Sequence, residues 1–457
     1  MSEKFNPIES LSPAEKEEIR STICEAPRTQ AAKSESHPVK RFFKILGPGL
    51  ITGASDDDPS GIVTYSQAGA AFGLATLWTA LLTFPMTSVI QYLCSKIGLV
   101  TGQGLAVILK RNFSKPVLLI ALGLMALANT INAGANLGAI GAAVHLIYKP
   151  VQAHYAIIGA TVLLLLVIVC GSYSLIEKIF KWLTLSLLAY VFTAFALHGD
   201  IGKVLTASFV PNIKWSADYL SVLVAILGTT ISPYLFFWQT NLEVEEQKKD
   251  GKNALEREGA SKDDLKYALI DDGAGVFFSN VVMFAIIYTT AQTLYAKGTH
   301  DITTAAEAAS ALKPVAGPWA EVIFALGLIG TGCLATPVLV GSAAYALSEA
   351  AGWKAGLNKK LGQAPGFYMT IILATLIGMA INFVKIDPMK ALFGTAVING
   401  VIAPILLTLI MILTSSKKVM GEDKVNKPLT NFIGWLTTIV MYLASIAMFV
   451  VMAMGKG

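Results

Sequence analysis

The chain has 457 residues, of which 54% are hydrophobic and 14% charged, and its mean hydropathy is +0.61. That composition excludes an ordinary soluble protein of several domains and places the chain in a membrane. The net charge of +5 at pH 7 needs no nucleic-acid partner, because the basic residues follow membrane topology, and the four cysteines, Cys24, Cys94, Cys170 and Cys333, lack any CxxC spacing that would hold zinc or form a redox pair.

Residues 1–40 are polar, carry charges of both signs and lack a short apolar core with a small-residue cleavage site, so they read as a flexible cytoplasmic tail rather than a signal peptide, with a short surface helix near residues 14–24. From residue 41 to 457 the chain is one transmembrane transporter domain. Apolar runs recur near 44–69, 74–98, 116–147, 153–171, 174–198, 218–240, 266–296, 316–349, 366–384, 388–413 and 430–454. Most reach the roughly 20 residues that a helix needs to cross the hydrocarbon, and no period-2 alternation competes, so the fold class is all-α and polytopic with about 11 spans. With the N-terminus inside, 27 of the 35 Lys and Arg fall on the cytoplasmic side and 8 outside. The positive-inside rule then sets the N-terminus in the cytoplasm and the C-terminus outside, in a multi-pass protein of the cell membrane.

The first span reads FFKILGPGLITGASDDDPSGIVTYSQAGAAFG. Three carboxylates, Asp56, Asp57 and Asp58, interrupt an apolar run, and an ionised side chain at that depth costs at least about 2.5–3.5 kcal/mol, so they must face water, a cation or one another. Pro59 removes a backbone donor and Gly61 permits unusual backbone shapes, so the helix is expected to unwind here and free carbonyl oxygens. Of the three acids, Asp58 is the expected ligand, because consecutive helical residues point in different directions; Asp57 adds charge, and Asp56 or Asp57 can instead line a water-filled approach.

The third span carries Asn129, Asn132 and Asn136 and no acid. The sixth reads LSVLVAILGTTISPYLFFWQ, where Gly228, Thr229, Thr230 and Ser232 precede Pro233. Paired interruptions at corresponding places in two five-helix halves point to a 5+5 inverted repeat (residues 41–200 and 215–414, with 430–454 as an additional helix 11) whose cation site lies where discontinuous helices 1 and 6 meet. The charged stretch 243–266 reads as a solvated loop helix. Glu177, Glu321 and Glu349 lie at span ends as interface or packing residues, and Asn382 and Asn399 either face the pathway or bond a neighbouring helix, the second being the favoured reading. The histidines, His37, His145, His154, His198 and His300, share no face.

These segments resemble the natural resistance-associated macrophage protein (NRAMP) family of divalent-metal transporters, over nearly all of the chain from Arg41 and including the GPG motif at Gly47 to Gly49. The family's fold implies a leucine-transporter-like inverted repeat. Its first-span signature, Asp-Pro-Gly-Asn with a carbonyl ligand three residues earlier, falls on Asp58, Pro59, Ser60 and Gly61 and on Ser55. Its sixth-span methionine, proline and histidine fall on Ser232, Pro233 and Tyr234, with Thr229 at the carbonyl position. A thioether favours softer transition metals, so Ser232 removes that preference. Gly61 in place of asparagine withdraws a ligand and enlarges the site, which suits an ion that keeps several waters. Asparagines on the third span and Tyr234 replace the family's proton-relaying acids and histidine, and neither group titrates near neutrality.

Both departures resemble the NRAMP-related magnesium transporter branch. The implied function is uptake of partly hydrated Mg2+, and of Mn2+, by alternating access without proton coupling. Asp58, Ser55, Thr229, Ser232, Gly61, Thr230 and Asp57 form the metal site; the metal is a transported substrate, and no resident cofactor is implied. The implied partners are the ion and the lipid bilayer, with no obligate protein partner. A proton-coupled Mn2+/Fe2+ transporter is the alternative. A cation-coupled amino-acid or small-solute carrier of the same fold is disfavoured because the acids would repel a substrate carboxylate. An intramembrane enzyme would need a nucleophile with a base or a histidine-rich cluster, and a purely structural membrane protein leaves the intramembrane acids unexplained.

Overall fold

The computed structural model describes residues 25–170, 187–254, 256–384 and 387–455, and these form helices with no strand among them. Two short helices, α1 (Pro27–Lys33) and α2 (Pro38–Ile45), precede a split first span, α3 (Pro48–Asp56) and α4 (Pro59–Phe72). Then follow α5 (Trp78–Thr101), α6 (Leu105–Asn112), α7 (Lys115–Ile147), α8 (Ala153–Cys170), α9 (Leu188–Ala196) and α10 (Ile201–Phe209). The second half begins with a split span, α11 (Ala217–Thr230) and α12 (Pro233–Lys249), and continues with α13 (Lys262–Thr293), α14 (Ala305–Ser310), α15 (Ala320–Ala351), α16 (Pro365–Ile381), α17 (Pro388–Ser415) and α18 (Pro428–Ala453).

Among the described residues eight segments are long and apolar enough to cross a membrane, and they coincide with expected spans 3, 4 and 6 to 11. The first span is divided between α3 and α4, and its acids break the apolar run. The second is α5, entered through a 107° bend after α4, where Gly73 adopts φ +60°, a conformation that favours glycine. Of the fifth span, only α9 and its flanks are described. Glu177, Cys24 and the surface helix expected near residues 14–24 lie outside the described residues.

Two readings of the sequence are corrected. Residues 25–40, taken as part of a flexible tail, form α1 and the start of α2, with Thr29 and Ala32 buried against the following helices. The sixth span does not end near residue 240: α12 runs to Lys249, so Glu243, read as part of a solvated loop helix, is buried inside the bundle. Sequence patterning also passed over α10, whose exposed Ile201, Leu205 and Phe209 make a stripe at helical spacing, the signature of a helix lying in the membrane interface.

Small residues let the helices approach closely, as packing within a membrane requires. A Cβ on Gly134 of α7 would sit 2.5 Å from the Gly378 carbonyl of α16, and one on Gly53 of α3 would sit 2.3 Å from the Gly275 backbone carbon of α13. Asn382 donates to the Gly134 carbonyl at 2.8 Å, bonding a neighbouring helix as its sequence position suggested. Asn399 does not; it is buried with both amide atoms unpaired.

Candidate cation site

Each split span is opened by a proline whose missing N–H has a specific consequence. In a continuous helix the N–H of residue 59 would bond the carbonyl of Ser55, and that of residue 233 the carbonyl of Thr229. Proline cannot donate, so both carbonyls are released at the places where α3 and α11 end. The C-terminal ends of these two helices carry partial negative charge, which favours a cation between them.

The breaks meet. Asp58 caps α4: its Oδ1 accepts from Ser60 Oγ at 2.5 Å and from the Gly61 N–H at 3.0 Å. Its Oδ2 accepts from Asn132 Nδ2 of α7 at 3.2 Å, and that amide is oriented by Thr395 of α17, whose hydroxyl donates to Asn132 Oδ1 at 3.2 Å. Asn136 lies beside the same carboxylate, buried, with neither amide atom in a hydrogen bond of good geometry. The Ser60 and Thr229 hydroxyls lie 3.2 Å apart, and those of Tyr65 and Thr230 3.1 Å apart, which ties α4 to α11 twice.

Both released carbonyls hold a hydroxyl partner in this closed form. Tyr234 donates to the Ser55 carbonyl at 3.2 Å, and Ser232 donates to the Thr229 carbonyl at 2.8 Å and to that of Gly228 at 2.9 Å. Asp56, Asp57 and Asp58 are 2%, 7% and 1% exposed, so all three are screened from bulk water. Asp56 and Asp57 point away from Asp58, toward α13, where the Ser279 hydroxyl lies 3.2 Å from Asp56 Oδ2 and 2.9 Å from Asp57 Oδ1.

The profile described as natural resistance-associated macrophage protein-like matches residues 49–451, almost the whole membrane domain. The chain belongs to this family. It is 25% identical over 421 residues to the divalent metal cation transporter MntH of Caldanaerobacter subterraneus, covering 90% of this chain and 94% of that protein. It is 26% identical over 441 residues to the MntH of Erwinia tasmaniensis, covering 92% and 100%. In fold it is similar to the Eremococcus coleocola manganese transporter, with a TM-score of 0.73 at 17% identity, covering 93% of this chain and 89% of that one. It is also similar to a nucleobase-cation-symport-1 family transporter in a closed conformation, with a TM-score of 0.55 at 15% identity, covering 89% and 92%.

Of the residues singled out from the NRAMP resemblance, Asp58, Ser55, Thr229, Ser232 and Gly61 come together at the crossing of the two breaks. Thr230 sits beside it on Tyr65, and Asp57 faces α13. Gly61 contributes its N–H to Asp58, but the room expected there is partly filled in this conformation: a Cβ would lie 3.2 Å from Thr229 Oγ1 and 3.3 Å from the Tyr65 ring. Sequence reasoning noted Asn132, Asn136 and Tyr234 only as groups that do not titrate and gave Ser60 and Ser279 no role. Their signal was a small polar residue in an apolar span at a helical repeat from another, as Asn129, Asn132 and Asn136 are.

On the side of the bundle that carries the N-terminal segment, a second polar network closes the space beneath the site. Thr52 of α3 bonds Gln239 of α12. Gln239 donates to Ser95 of α5 at 2.7 Å and to Glu243 at 3.3 Å, and Ser95 donates to Asp272 of α13 at 2.8 Å. Neighbouring Asp271 accepts three backbone N–H bonds from the start of α3, from Gly47 and Gly49 at 2.9 Å and from Leu50 at 3.0 Å. The sequence signal for this pair is two consecutive acids within the apolar run 266–296.

Proposed function

We propose that this NRAMP-family protein carries divalent metal cations across the cell membrane by alternating access, with Mg2+ as the preferred ion and Mn2+ as a second substrate, inward and without proton coupling. The observation that carries the reading is the donor set at the crossed breaks: the Asp58 carboxylate, the Ser55 and Thr229 carbonyls and the Ser232 hydroxyl are all oxygen, and the Met283 thioether of α13 lies outside this set, 4.0 Å from the Thr230 hydroxyl beside it. Hard oxygen donors suit Mg2+ and Mn2+. The names of the relatives as divalent metal and manganese transporters support the substrate class.

The Asn136 amide, beside Asp58 and without a hydrogen bond of good geometry, supports this reading, since it can bond a water that the ion keeps, as Mg2+ characteristically does. A carbonyl oxygen has two lone pairs, so the Ser55 and Thr229 carbonyls can take the ion while the Tyr234 and Ser232 hydroxyls stay bonded to them. An inside-negative membrane potential drives entry: two charges moved across 100 mV are worth about 2 × 2.3 kcal/mol.

A proton-coupled reading rests on one observation, that Asp56 is buried with Oδ1 unpaired and only Ser279 at its other oxygen. The test of the substrate assignment is competition: in proteoliposomes, unlabelled Mg2+ should suppress Mn2+ uptake at concentrations near its own KM. Mn2+ uptake indifferent to Mg2+ would return the chain to the manganese-selective reading.

A further inference from the structure

The last stretch before the first span is wired into the polar network that closes the N-terminal side. The Ala26 N–H donates to Asp264 Oδ1 at 3.1 Å and the Thr29 hydroxyl to the same oxygen at 2.5 Å, while Asp264 also closes the capping box that starts α13. These bonds anchor α1 and aim Arg28 inward. Its guanidinium, 13% exposed, donates to both oxygens of Glu243, at 3.3 and 3.1 Å, and to Asp271 at 3.3 Å. Its Nη1 also lies where a Cβ on Gly47 would be, 2.7 Å away, so it rests directly on the backbone that begins α3.

Arg28 therefore sits at the junction of three elements: the start of α3, Glu243 on α12 and Asp271 on α13. Glu243, Asp271 and Asp272 are buried in this region; Arg28 contacts Glu243 and Asp271, while Asp272 accepts from Ser95. A buried charge separated from its partner is strongly unfavourable, so parting these helices while Arg28 stays bound is costly, and so is withdrawing Arg28 while they stay together. By contrast, the exposed Lys33 pairs with Glu25 and Asp263 add little.

We propose that the segment holding Arg28 is a latch on the inner gate and that Arg28 is a positioning residue for transport: it holds α3 and α12 against α13 in the inward-closed state and must disengage before the site opens to the cytoplasm. This rests on the alternating-access reading above. Arg28 touches no substrate ligand; it acts through Asp271, which caps the half-helix carrying the Ser55 carbonyl, and through Glu243, which bonds the Gln239 that holds Thr52.

The test is access from the cytoplasmic side, measured on the full chain without metal. With Cys24, Cys94, Cys170 and Cys333 replaced by alanine, a Thr52→Cys reporter is labelled by a membrane-impermeant maleimide in inside-out vesicles. Arg28→Ala should speed labelling by at least about tenfold, and Arg28→Lys, which keeps the charge but loses the two-pronged contact, by an intermediate factor. Thr29→Val, which weakens the anchor by one of its two bonds to Asp264 and changes no charge, should also speed it. In uptake assays the apparent KM of Arg28→Ala for external Mg2+ should rise, because less of the protein waits in the outward-competent state.

An unchanged labelling rate in folded, monodisperse Arg28→Ala overturns the latch. Should that variant fail to fold, unchanged rates in Arg28→Lys and Thr29→Val do the same. Because labelling needs no ion, the latch can fail while the metal assignment stands, and the metal assignment can fail while the latch stands.

Discussion

Asp58→Asn removes a charge from the candidate site and leaves the geometry almost as it was. The asparagine carbonyl can keep the bonds that Asp58 Oδ1 accepts from Ser60 and the Gly61 N–H. Its new NH2 then faces the Asn132 amide, whose carbonyl is turned toward Thr395. A flip of Asn132 resolves the clash, because the Thr395 hydroxyl can accept as well as donate, so folding stability is expected to change by only about 1 kcal/mol. The ion loses far more. At an effective dielectric near 20 a unit pair about 4 Å apart is worth about 4 kcal/mol, hence roughly twice that for a divalent cation. Desolvation and retained water offset most of it, and a residue of about 2.8 kcal/mol corresponds to about a hundredfold in KM. Uptake into proteoliposomes loaded with a Mg2+-sensitive dye measures this, with thermal unfolding in parallel to show that the fold is kept. A folded Asp58→Asn protein with KM within about threefold of the parent refutes the reasoning, because that is under 0.7 kcal/mol for the one charged ligand.

Ser232→Met replaces the hydroxyl bonded to the Thr229 carbonyl with a soft sulfur and should shift Mn2+ over Mg2+ preference in competition uptake by about tenfold or more; an unchanged ratio counts against the oxygen-only account. Gly53→Ala places a Cβ 2.3 Å from the Gly275 backbone, which should wedge α3 off α13, cost about 1–3 kcal/mol by thermal or denaturant unfolding and expose residue 52 to labelling. Asn132→Asp sets a second carboxylate against Asp58, and its uptake should depend more steeply on pH than the parent's.

The span positions and the two breaks were legible because their signals are local: apolar runs of sufficient length, and prolines 59 and 233 set behind small polar residues. Asp58 was set apart from its neighbours in the sequence, and the structure turns both Asp56 and Asp57 to Ser279 on α13 while Asp58 caps α4. What escaped depends on partners distant in sequence. Arg28 looks like any tail arginine until Glu243 and Asp271, more than 200 residues away, are beside it. Glu243 looked solvated because it begins a charged stretch, whereas α12 carries the helix six residues beyond it. Tyr234 was read as a lost proton carrier, and its hydroxyl instead bonds the Ser55 carbonyl freed by Pro59. The α10 helix escaped because its apolar stripe is too short to register as a span.

The central claim, an oxygen-lined site that moves Mg2+ without protons, is tested most directly by recording metal entry and internal pH together in proteoliposomes under an imposed inside-negative potential. The account predicts Mg2+ uptake that grows with the potential while the internal pH stays level. Acidification in fixed proportion to the metal entering, or Mn2+ entry with no Mg2+ entry under the same potential, would contradict it.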